Sequence, residues 1–338
     1  MKLKLQRYQL ELAHTFGISR ERYDTQPTLI ASLSSGGKTG YGEATSNPYY
    51  GVTLDTLTAE IERAREPLEA FRGTDPAEFF RLLESLDLSN FARCALDMAC
   101  NDLHGKCLGK PLYALWGTRL ENLPVTNYTI GLDTPEKMVE KMKERPWPVY
   151  KVKLGTDRDV SLIRELRAHT DAVFRVDANC AWTVAETLEN ARALKPLGVE
   201  FIEQPLPAED WQGMEYVAHS SVLPVIADES CITESDVDPC GLHFNGINIK
   251  LTKCGGLTPA RRMIQRGREL GLKIMVGCMT ESTVGISAIA QLLPQLDYVD
   301  MDGAMLLRRD IARGVVIRED ASVIFPETGG CGVTLLDA

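Results

Sequence analysis

The sequence predicts an α/β protein in which a barrel of alternating strands and helices follows a smaller α+β domain. Between residues 149 and 250, five short apolar runs end in charged residues at Lys153, Asp177, Glu203, Asp228 and Lys250. These charges are separated by 24, 26, 25 and 22 residues. One strand, one helix and two short loops take about that length, which indicates a repeated βα unit. Before residue 118, strand-like runs are followed by helical runs, the order expected of an α+β domain.

Residues 1–118 form the predicted α+β domain. Strand-type runs occupy LKLQRYQLEL and TLIASLSSGGKTGYGEA, and the pair Gly36-Gly37 indicates a turn inside the second run. The polar stretch 14–27 (HTFGISRERYDTQP) is predicted to be a loop between two strands. It is interpreted either as a solvated connector or as a lid over the substrate, because functional residues often lie on such loops.

Helices are predicted for the rest of this domain. TLDTLTAEIERAREPLEAF opens at Thr53 or Asp55, and either residue is a plausible N-cap. The later segment NFARCALDMACNDLHGKCLGKPLYALWG has apolar and small residues at helical spacing, which allows close helix packing. The first domain shows no catalytic constellation of its own.

Residues 119–315 form the predicted barrel. Eight strand candidates begin with VTNYTI and end with YVDMDG, and helical segments such as TPEKMVEKMKERP separate them. Each strand from VYKVKLG to INIKL delivers its charge at its C-terminal end, where parallel barrels build their active sites. The final segment, 316–338, is predicted to return and pack on the first domain.

Composition excludes several classes of function. The net charge of −10 argues against a nucleic-acid partner and against an anionic membrane surface. No apolar run approaches the roughly 20 residues of a membrane span. The nine cysteines occur singly, with no CxxC pair, so disulfides and zinc frameworks are not expected and a cytoplasmic location is predicted.

Three carboxylates at successive strand ends predict a metal site. Asp177, Glu203 and Asp228 each follow an apolar run, in register along the chain. Three carboxylates that converge repel one another unless a cation lies among them. Hard oxygen ligands favour Mg²⁺ or Mn²⁺ over zinc, and no His or Cys completes a zinc set.

Two lysines flank these carboxylates along the sequence. Lys153 ends its strand beside Lys151, and Lys250 ends the last of the five runs. Two bases on opposite faces of a substrate suit the removal of a proton from carbon and its return from the other side. A metal bound to the substrate carboxylate would stabilise the enediolate between these steps.

The chain resembles the enolase superfamily, and within it the muconate-lactonizing subgroup. The resemblance rests on ALDMACNDLHGKCLGKPLYALWG in the first domain and on KVK, DAN, IEQP, ADES and IKLTKCGG in the barrel. It implies a modified (β/α)₇β barrel of the TIM type under an α+β capping domain. It also implies one Mg²⁺ per subunit, with Mn²⁺ as an alternative, and a homo-oligomeric assembly. The implied roles are metal ligation by Asp177, Glu203 and Asp228, acid/base catalysis by Lys153 and Lys250, and support of these groups by Lys151, Asn179 and Glu229.

The end of the last strand predicts the substrate. Asp300-Met301-Asp302 resembles the Asp-x-Asp of dipeptide epimerases, which holds the ammonium group of the substrate. The stretch from Gly277 to Ser282 matches the segment that lines the dipeptide in those enzymes, which makes Met279, Glu281 and Ser282 further candidates for substrate binding. In the cap loop, Arg20 or Arg22 could bind the distal carboxylate of a C-terminal glutamate. The resemblance thus implies L-Ala-D/L-Glu epimerisation, a reaction of peptidoglycan-peptide metabolism.

Other functions stay open from the sequence. A cycloisomerase, an o-succinylbenzoate synthase or an N-acylamino-acid racemase of the same subgroup would give Asp300 and Asp302 no ammonium partner. A non-catalytic metal-binding scaffold would need neither lysine.

Overall fold

The capping domain begins with a three-stranded antiparallel sheet. The computed structural model describes residues 1–17 and 22–336, and its first strands are β1 (Lys2–Gly17), β2 (Arg22–Ser35) and β3 (Lys38–Thr45). They pair in the order β1-β2-β3. The predicted turn at Gly36-Gly37 is confirmed, and both glycines have positive φ, the conformation that tight hairpin turns require.

The predicted loop over residues 14–27 is wrong for most of its length. The two strands extend into it, and Phe16 pairs with Tyr23 while Gly17 pairs with Arg22. The rings of Phe16 and Tyr23 lie 5.7 Å apart, and cross-strand aromatic pairs stabilise antiparallel strands. Arg20 lies outside the described residues.

Helices cover one face of this sheet. They are α1 (Leu54–Arg63), α2 (Arg65–Ala70), α3 (Pro76–Glu84), α4 (Asn90–Leu108) and α5 (Leu112–Leu115). The N-cap of α1 is Thr53, one of the two N-cap residues that the sequence predicted. The backbone of α4 approaches β3 so closely that a Cβ at Gly40 or Gly42 would collide with it. Glycine at both positions therefore seats α4 directly on the sheet.

The barrel contains the eight predicted strands. They are β4 (Tyr128–Ile130), β5 (Val149–Lys153), β6 (Val173–Asp177), β7 (Val199–Glu203), β8 (Val225–Ala227), β9 (Gly246–Lys250), β10 (Lys273–Gly277) and β11 (Tyr298–Asp300). Neighbours in sequence are neighbours in the sheet, and all pairs are parallel. A parallel bridge between Thr126 and Val299 joins the first strand to the last.

Helices surround the strands and complete seven βα units before the last strand. They are α6 (Pro135–Glu144), α7 (Asp159–Arg167), α8 (Val184–Leu194), α9 (Trp211–Ser220), α10 (Val237–His243), α11 (Leu251–Cys254), α12 (Leu257–Glu269) and α13 (Thr283–Ala290). Short 3-10 helices lie at Pro48–Tyr50, Lys195–Leu197, Glu234–Asp236, Leu293–Gln295 and Gly303–Leu306. The modified (β/α)₇β barrel with an α+β cap is confirmed. None of the helices in the described part of the chain has the length and apolar character to cross a membrane.

The C-terminal segment contacts the capping domain. It contains β13 (Val316–Ile317), β14 (Val323–Ile324) and β15 (Thr334–Leu335), and β15 pairs with β12 (Ala312–Arg313), which precedes the segment. The backbone N–H of Cys331 donates to Asp102 on α4 at 2.8 Å, and Lys106 of the same helix donates to the carbonyl of Val333 at 2.8 Å. These contacts join the end of the chain to the longest helix of the cap.

Strand register aligns the charged strand ends. Lys153 of β5 is paired with Asp177 of β6, and Asp177 with Glu203 of β7. On the far side of the sheet, Lys250 of β9 and Asp300 of β11 both align with Gly277 of β10. Because parallel strands end at the same edge of a barrel, this register brings the side chains to one mouth.

Candidate active site

Three buried carboxylates meet at the mouth of the barrel. Asp177 and Glu203 end β6 and β7, and Asp228 follows β8 directly. One carboxylate oxygen of each residue lies within 4.8 Å of the others. All three residues are at most 2% exposed, so water screens their mutual repulsion poorly.

Lysines surround the carboxylates. Lys153 donates to Asp177 at 2.7 Å, and Lys250 donates to Asp228 at 2.8 Å. Burial alone would raise the pKa of both aspartates, but the neighbouring ammonium groups outweigh it and lower the pKa of Asp177 and of Asp228. Both aspartates are therefore held as carboxylates.

For Glu203, unlike the two aspartates, the neighbouring lysines do not outweigh the effect of burial on the pKa. Burial and the Asp177 carboxylate raise its pKa to about 7, although Lys151 donates to its Oε1 at 2.9 Å. Asn248, two residues before Lys250 on β9, donates to the same oxygen at 2.9 Å. The pairs of lysine and carboxylate thus do not fully offset the negative charge at the centre of the cluster.

The cluster fits a divalent cation of the hard type. Its donor atoms are carboxylate oxygens from three adjacent strands, close enough to share one ion. A cation among them would stabilise the ionised form of Glu203, whose pKa the neighbouring negative charge raises. Asp177, Glu203 and Asp228 are the residues that would hold it.

The two candidate acid/base lysines face each other across the site. Lys153 is on β5 and Lys250 is on β9, four strands apart in an eight-stranded barrel, so they project from opposite walls. Both side chains line a cavity of about 560 Å³ between the cap and the barrel mouth. Asp228 and the predicted supporting residues Asn179 and Glu229 line the same cavity.

Asn179 shapes the loop after β6. Its φ is +46°, a left-handed conformation that asparagine tolerates better than most residues. Its backbone N–H donates to Asp177 Oδ1 at 3.0 Å and so orients that carboxylate.

Sequence reasoning gave no role to two residues that hold the cluster. Lys253 is fully buried and donates to Asp228 Oδ1 at 2.6 Å and to the carbonyl of Cys231 at 3.0 Å. Asn248 binds Glu203 as described above. The alternation of Asn248 with Lys250 on one strand would have indicated that both point to the barrel interior. Lys253 follows the strand end, and no periodicity identified it.

Asp300 and Asp302 lie together but in unequal surroundings. Asp300 accepts from Lys151 at 2.9 Å and from Asn127 at 2.8 Å, and these contacts lower its pKa to about 2 against the effect of burial. Asp302 lies past the strand end and accepts from the backbone N–H of Thr129. Burial and the Asp300 carboxylate raise the pKa of Asp302 to about 8. Both aspartates line the cavity.

The cap contributes both aromatic and small polar side chains to the wall of the cavity, and the aromatic side chains are the largest of them. The aromatic side chains are those of Phe16, Tyr23, Tyr49 and Tyr50, and Leu306 adds an apolar side chain from the barrel. Arg22 is not brought to this cavity. It lies 3.2 Å from Asp133 in an ion pair on the outer surface, because the extension of β2 turns its side chain toward the start of α6.

The segment after β10 is divided between the cavity and the interior. Cys278, Met279 and Thr280 line the cavity, so Met279 is the one of the three candidates in this segment that lies on the cavity wall. Glu281 and Ser282 are buried behind them and do not line it. Both face Glu43 of the cap, since the chain turns inward there to begin α13.

Comparison with known proteins agrees with this geometry. The family described as Enolase C-terminal domain-like matches residues 134–338. The chain belongs to this family, and its barrel with a capping domain matches the enolase-superfamily fold. Over 335 residues the chain is 67% identical to the L-Ala-D/L-amino acid epimerase of Maribacter sp., covering 99% of each chain. It is therefore an isomerase of this family.

Two solved structures resemble the whole chain. The L-Ala-D/L-Glu epimerase from Bacillus subtilis, in a substrate-liganded complex, has a TM-score of 0.91 at 26% identity and covers 98% of each chain. A dipeptide epimerase from Cytophaga hutchinsonii, complexed with Mg and the dipeptide D-Ala-L-Val, also has a TM-score of 0.91 at 26% identity. That match covers 99% of this chain and 95% of the other.

Proposed function

We propose that this protein catalyses the Mg²⁺-dependent epimerisation of dipeptides at the α-carbon of the C-terminal residue. The observation that carries the proposal is the pair Lys153 and Lys250, which project into one cavity from strands on opposite sides of the barrel. Epimerisation requires that one face of the α-carbon loses a proton and that the other face receives one. Two lysine side chains on opposite walls, one as the neutral amine that accepts the proton and the other as the ammonium group that donates one, match that requirement.

Asp177, Glu203 and Asp228 are the proposed ligands of the metal. When bound there, Mg²⁺ would stabilise negative charge on the substrate carboxylate and so make the adjacent C–H bond more acidic. The chain's own residues then move the proton. One lysine takes it from the α-carbon, which becomes planar, and the other lysine, protonated beforehand, donates to the opposite face.

The lysine contacts support this exchange of roles. Lys153 is bonded to Asp177 and Lys250 to Asp228, so each acid/base group is fixed beside a proposed metal ligand. The Asp228 carboxylate outweighs burial and raises the pKa of Lys250, which favours the ammonium form of this lysine. Lys250 would therefore protonate the α-carbon from the side of β9 in the direction where Lys153 is the base.

Asp302 and Asp300 are proposed to bind the substrate ammonium group. Both line the cavity, and Asp302 has no ion pair with any lysine or arginine of the described residues. An incoming ammonium would supply the positive charge beside Asp302. The N-terminal residue of a dipeptide carries such a group, whereas an N-acylated amino acid, a muconate or a succinylbenzoate-type acid does not.

L-Ala-D/L-Glu is the proposed substrate. The described residues constrain the side chain of its second residue less than they constrain the ammonium group of its first. Arg20 is the remaining candidate for the side-chain carboxylate of glutamate, and it lies outside the described residues. The aromatic wall of the cavity equally suits an apolar second residue. The Maribacter relative is named for amino acids in general at this position, which supports a broad second-residue range.

A cytoplasmic location and a homo-oligomeric assembly complete the proposal. The nine cysteines are all free, which accords with a reducing compartment. The homo-oligomer is expected from the family resemblance.

Exchange of the α-proton with solvent tests the proposed function. A library of Ala-Xaa dipeptides, with N-acetylated and N-succinylated amino acids as a second set, is incubated with the purified protein in D₂O. Uptake of deuterium into dipeptides, lost on chelation and restored by Mg²⁺, is the expected result. Exchange only in the N-acylated set would replace the proposal with an N-acylamino-acid racemase. Exchange in neither set would overturn it.

A further inference from the structure

A carboxylate of the capping sheet reaches into the barrel and binds the start of a barrel helix. Glu43 is on β3 and is fully buried. Its Oε1 accepts from the backbone N–H of Ser282 at 3.0 Å, and its Oε2 accepts from the hydroxyl of Ser282 at 2.6 Å and from the N–H of Gly285 at 3.0 Å. Thr28 of β2 adds a fourth hydrogen bond at 2.8 Å.

These contacts place the Glu43 carboxyl group at the N-terminus of α13, where the four hydrogen-bond donors favour its ionised form against burial, which raises its pKa. The first N–H groups of a helix have no partner within the helix, and its dipole favours an anion there. Ser282, the N-cap, uses its own hydroxyl oxygen to accept from Val284 at 3.1 Å. Glu43 satisfies the N–H groups of Ser282 and Gly285, so a residue of one domain completes the cap of a helix in the other.

The segment that Glu43 holds contributes to the cavity. We call residues 278–282 the β10 loop. Cys278, Met279 and Thr280 of this loop line the cavity, and Ser282 is its last residue. The cap contacts the loop at two further points: the hydroxyls of Tyr23 and Thr280 lie 2.9 Å apart, and Asn47 lies 3.7 Å from the sulfur of Met279.

Glu281 fills the space between Glu43 and the cavity wall. It is 2% exposed, and its Oε1 accepts from the backbone N–H of Met279 at 2.7 Å. A Cβ at Gly285 would collide with its carboxyl group, so glycine there makes room for it. Burial and the Glu43 carboxylate raise the pKa of Glu281 to about 8, so it carries a proton near neutral pH and does not repel Glu43.

We propose that Glu43 is a positioning residue for substrate binding: it fixes the β10 loop against the cap and so sets where Met279 and Thr280 stand in the cavity. Glu43 does not line the cavity, so it acts through Ser282 and Gly285 and not on the substrate. The kinetic part of this role rests on the proposed epimerase function. The positioning of the loop does not, and it can be measured separately.

The Glu43→Gln variant tests the proposal. The amide has nearly the same volume as the carboxylate. Its NH₂ group replaces one carboxylate oxygen and so faces N–H or O–H donors, from which it cannot accept a hydrogen bond. Hydrogen–deuterium exchange of the amides of Ser282 and Gly285 is expected to speed up by about ten-fold or more, since bonds to a charged acceptor are among the stronger ones. KM for an Ala-Xaa dipeptide is expected to rise by a similar factor, about ten-fold, while kcat changes less. Mg²⁺ affinity is expected to stay at the wild-type value.

A matched control separates positioning from general docking of the two domains. Asp97 of α4 is also a buried carboxylate of the cap that binds the start of a barrel helix, where Thr258 donates its N–H at 2.9 Å and its hydroxyl at 2.6 Å. Like Glu43, Asp97 does not line the cavity. Asp97→Asn is expected to lower Tm but to leave KM and the exchange of the Ser282 and Gly285 amides unchanged.

The outcomes are distinguishable. Wild-type KM and wild-type amide exchange in Glu43→Gln would overturn the proposal, as would an equal rise of KM in Asp97→Asn. Should Glu43→Gln fail to fold, Ser282→Ala removes one of the four hydrogen bonds to Glu43, together with the bond from the Val284 N–H, and should shift the exchange of the Gly285 amide and KM in the same direction. Unchanged values in that variant would equally overturn the proposal. If the wild-type protein turns over no dipeptide, the proposed function fails, while amide exchange still decides whether Glu43 positions the loop.

Discussion

The ammonium group of Lys151 lies 2.9 Å from Asp300 Oδ2, and this ion pair joins the centre of the carboxylate cluster to the end of the last strand. Lys151 also donates to Glu203 and lies 3.3 Å from Asp177. Asp300 thus already forms an ion pair with a buried cation, the ammonium group of Lys151. Asp302 is the member of the pair whose pKa is raised, and in the described part of the chain no lysine or arginine forms an ion pair with it.

Replacing Asp302 by leucine should lower kcat/KM for every dipeptide. The substrate ammonium would lose a charge-assisted partner worth roughly 1.5–3 kcal/mol, which corresponds to a loss of about ten- to a hundred-fold. Steady-state kinetics on Ala-Xaa dipeptides measures the effect, and deuterium exchange into an N-acetylated amino acid is the control. An equal loss on both substrates would show that Asp302 does not recognise the ammonium group.

Replacing either Lys153 or Lys250 by alanine should stop epimerisation in both directions. Every turnover needs a base on one face and an acid on the other, and loss of a positioned acid/base group typically costs about 10²–10⁴-fold. Each variant should still exchange the α-proton of the one isomer whose base remains. The isomer that exchanges should differ between the two variants, as mass spectrometry in D₂O can show. Normal epimerisation by either variant would contradict a two-base mechanism.

The two arginines of the cap should respond differently to substitution. Arg22 pairs with Asp133 on the surface and its side chain is 55% exposed, so Arg22→Met should change kcat/KM for Ala-Glu by less than about two-fold. Arg20→Met should lower it by about ten- to a hundred-fold while sparing a dipeptide with an apolar second residue. If Arg20→Met leaves Ala-Glu turnover intact, the assignment of this arginine to the glutamate carboxylate is wrong.

Glu281 should make stability depend on pH. Its pKa is raised from an ordinary value of 4.5 to about 8 by burial and by Glu43, against the opposing effects of the Met279 N–H and of Lys250. Between these pH values the folded protein binds more protons than the unfolded chain, so wild-type stability should fall as pH rises through this range. Glu281→Gln does not titrate.

The Tm of Glu281→Gln minus that of the wild type should therefore increase from pH 5 to about pH 8, and thermal unfolding at several pH values measures it. Glu66→Gln, on an exposed part of α2, controls for the general loss of one carboxylate. A Tm difference that is constant with pH would show that Glu281 does not carry the proton.

Much of the fold followed from local patterns. Eight apolar runs at nearly constant spacing predicted the barrel strands, and the charges at their ends predicted which edge carries the site. Thr53 and the pair Gly36-Gly37 were recognisable because capping and tight turns need particular residue types. The polar stretch 14–27 was misread in its described parts, since its composition suggests a loop, whereas cross-strand pairs such as Phe16 with Tyr23 and Gly17 with Arg22 hold these parts in strands.

The sequence by itself determined which proposed catalytic and metal-binding residues converge. Lys153, Asp177, Glu203 and Lys250 end strands, Asp228 follows its strand directly, and parallel strands can end only at a common edge. Their convergence therefore needed no knowledge of long-range contacts.

Only the tertiary structure decided how the cap meets that edge. The contact of Glu43 with Ser282 joins residues 239 positions apart, and the ion pair of Arg22 with Asp133 turns one candidate arginine away from the cavity. Burial of Glu281 behind Met279 and the unequal surroundings of Asp300 and Asp302 are decided in the same way. Such contacts depend on which residues far apart in sequence pack together, and local periodicity carries no information about that packing.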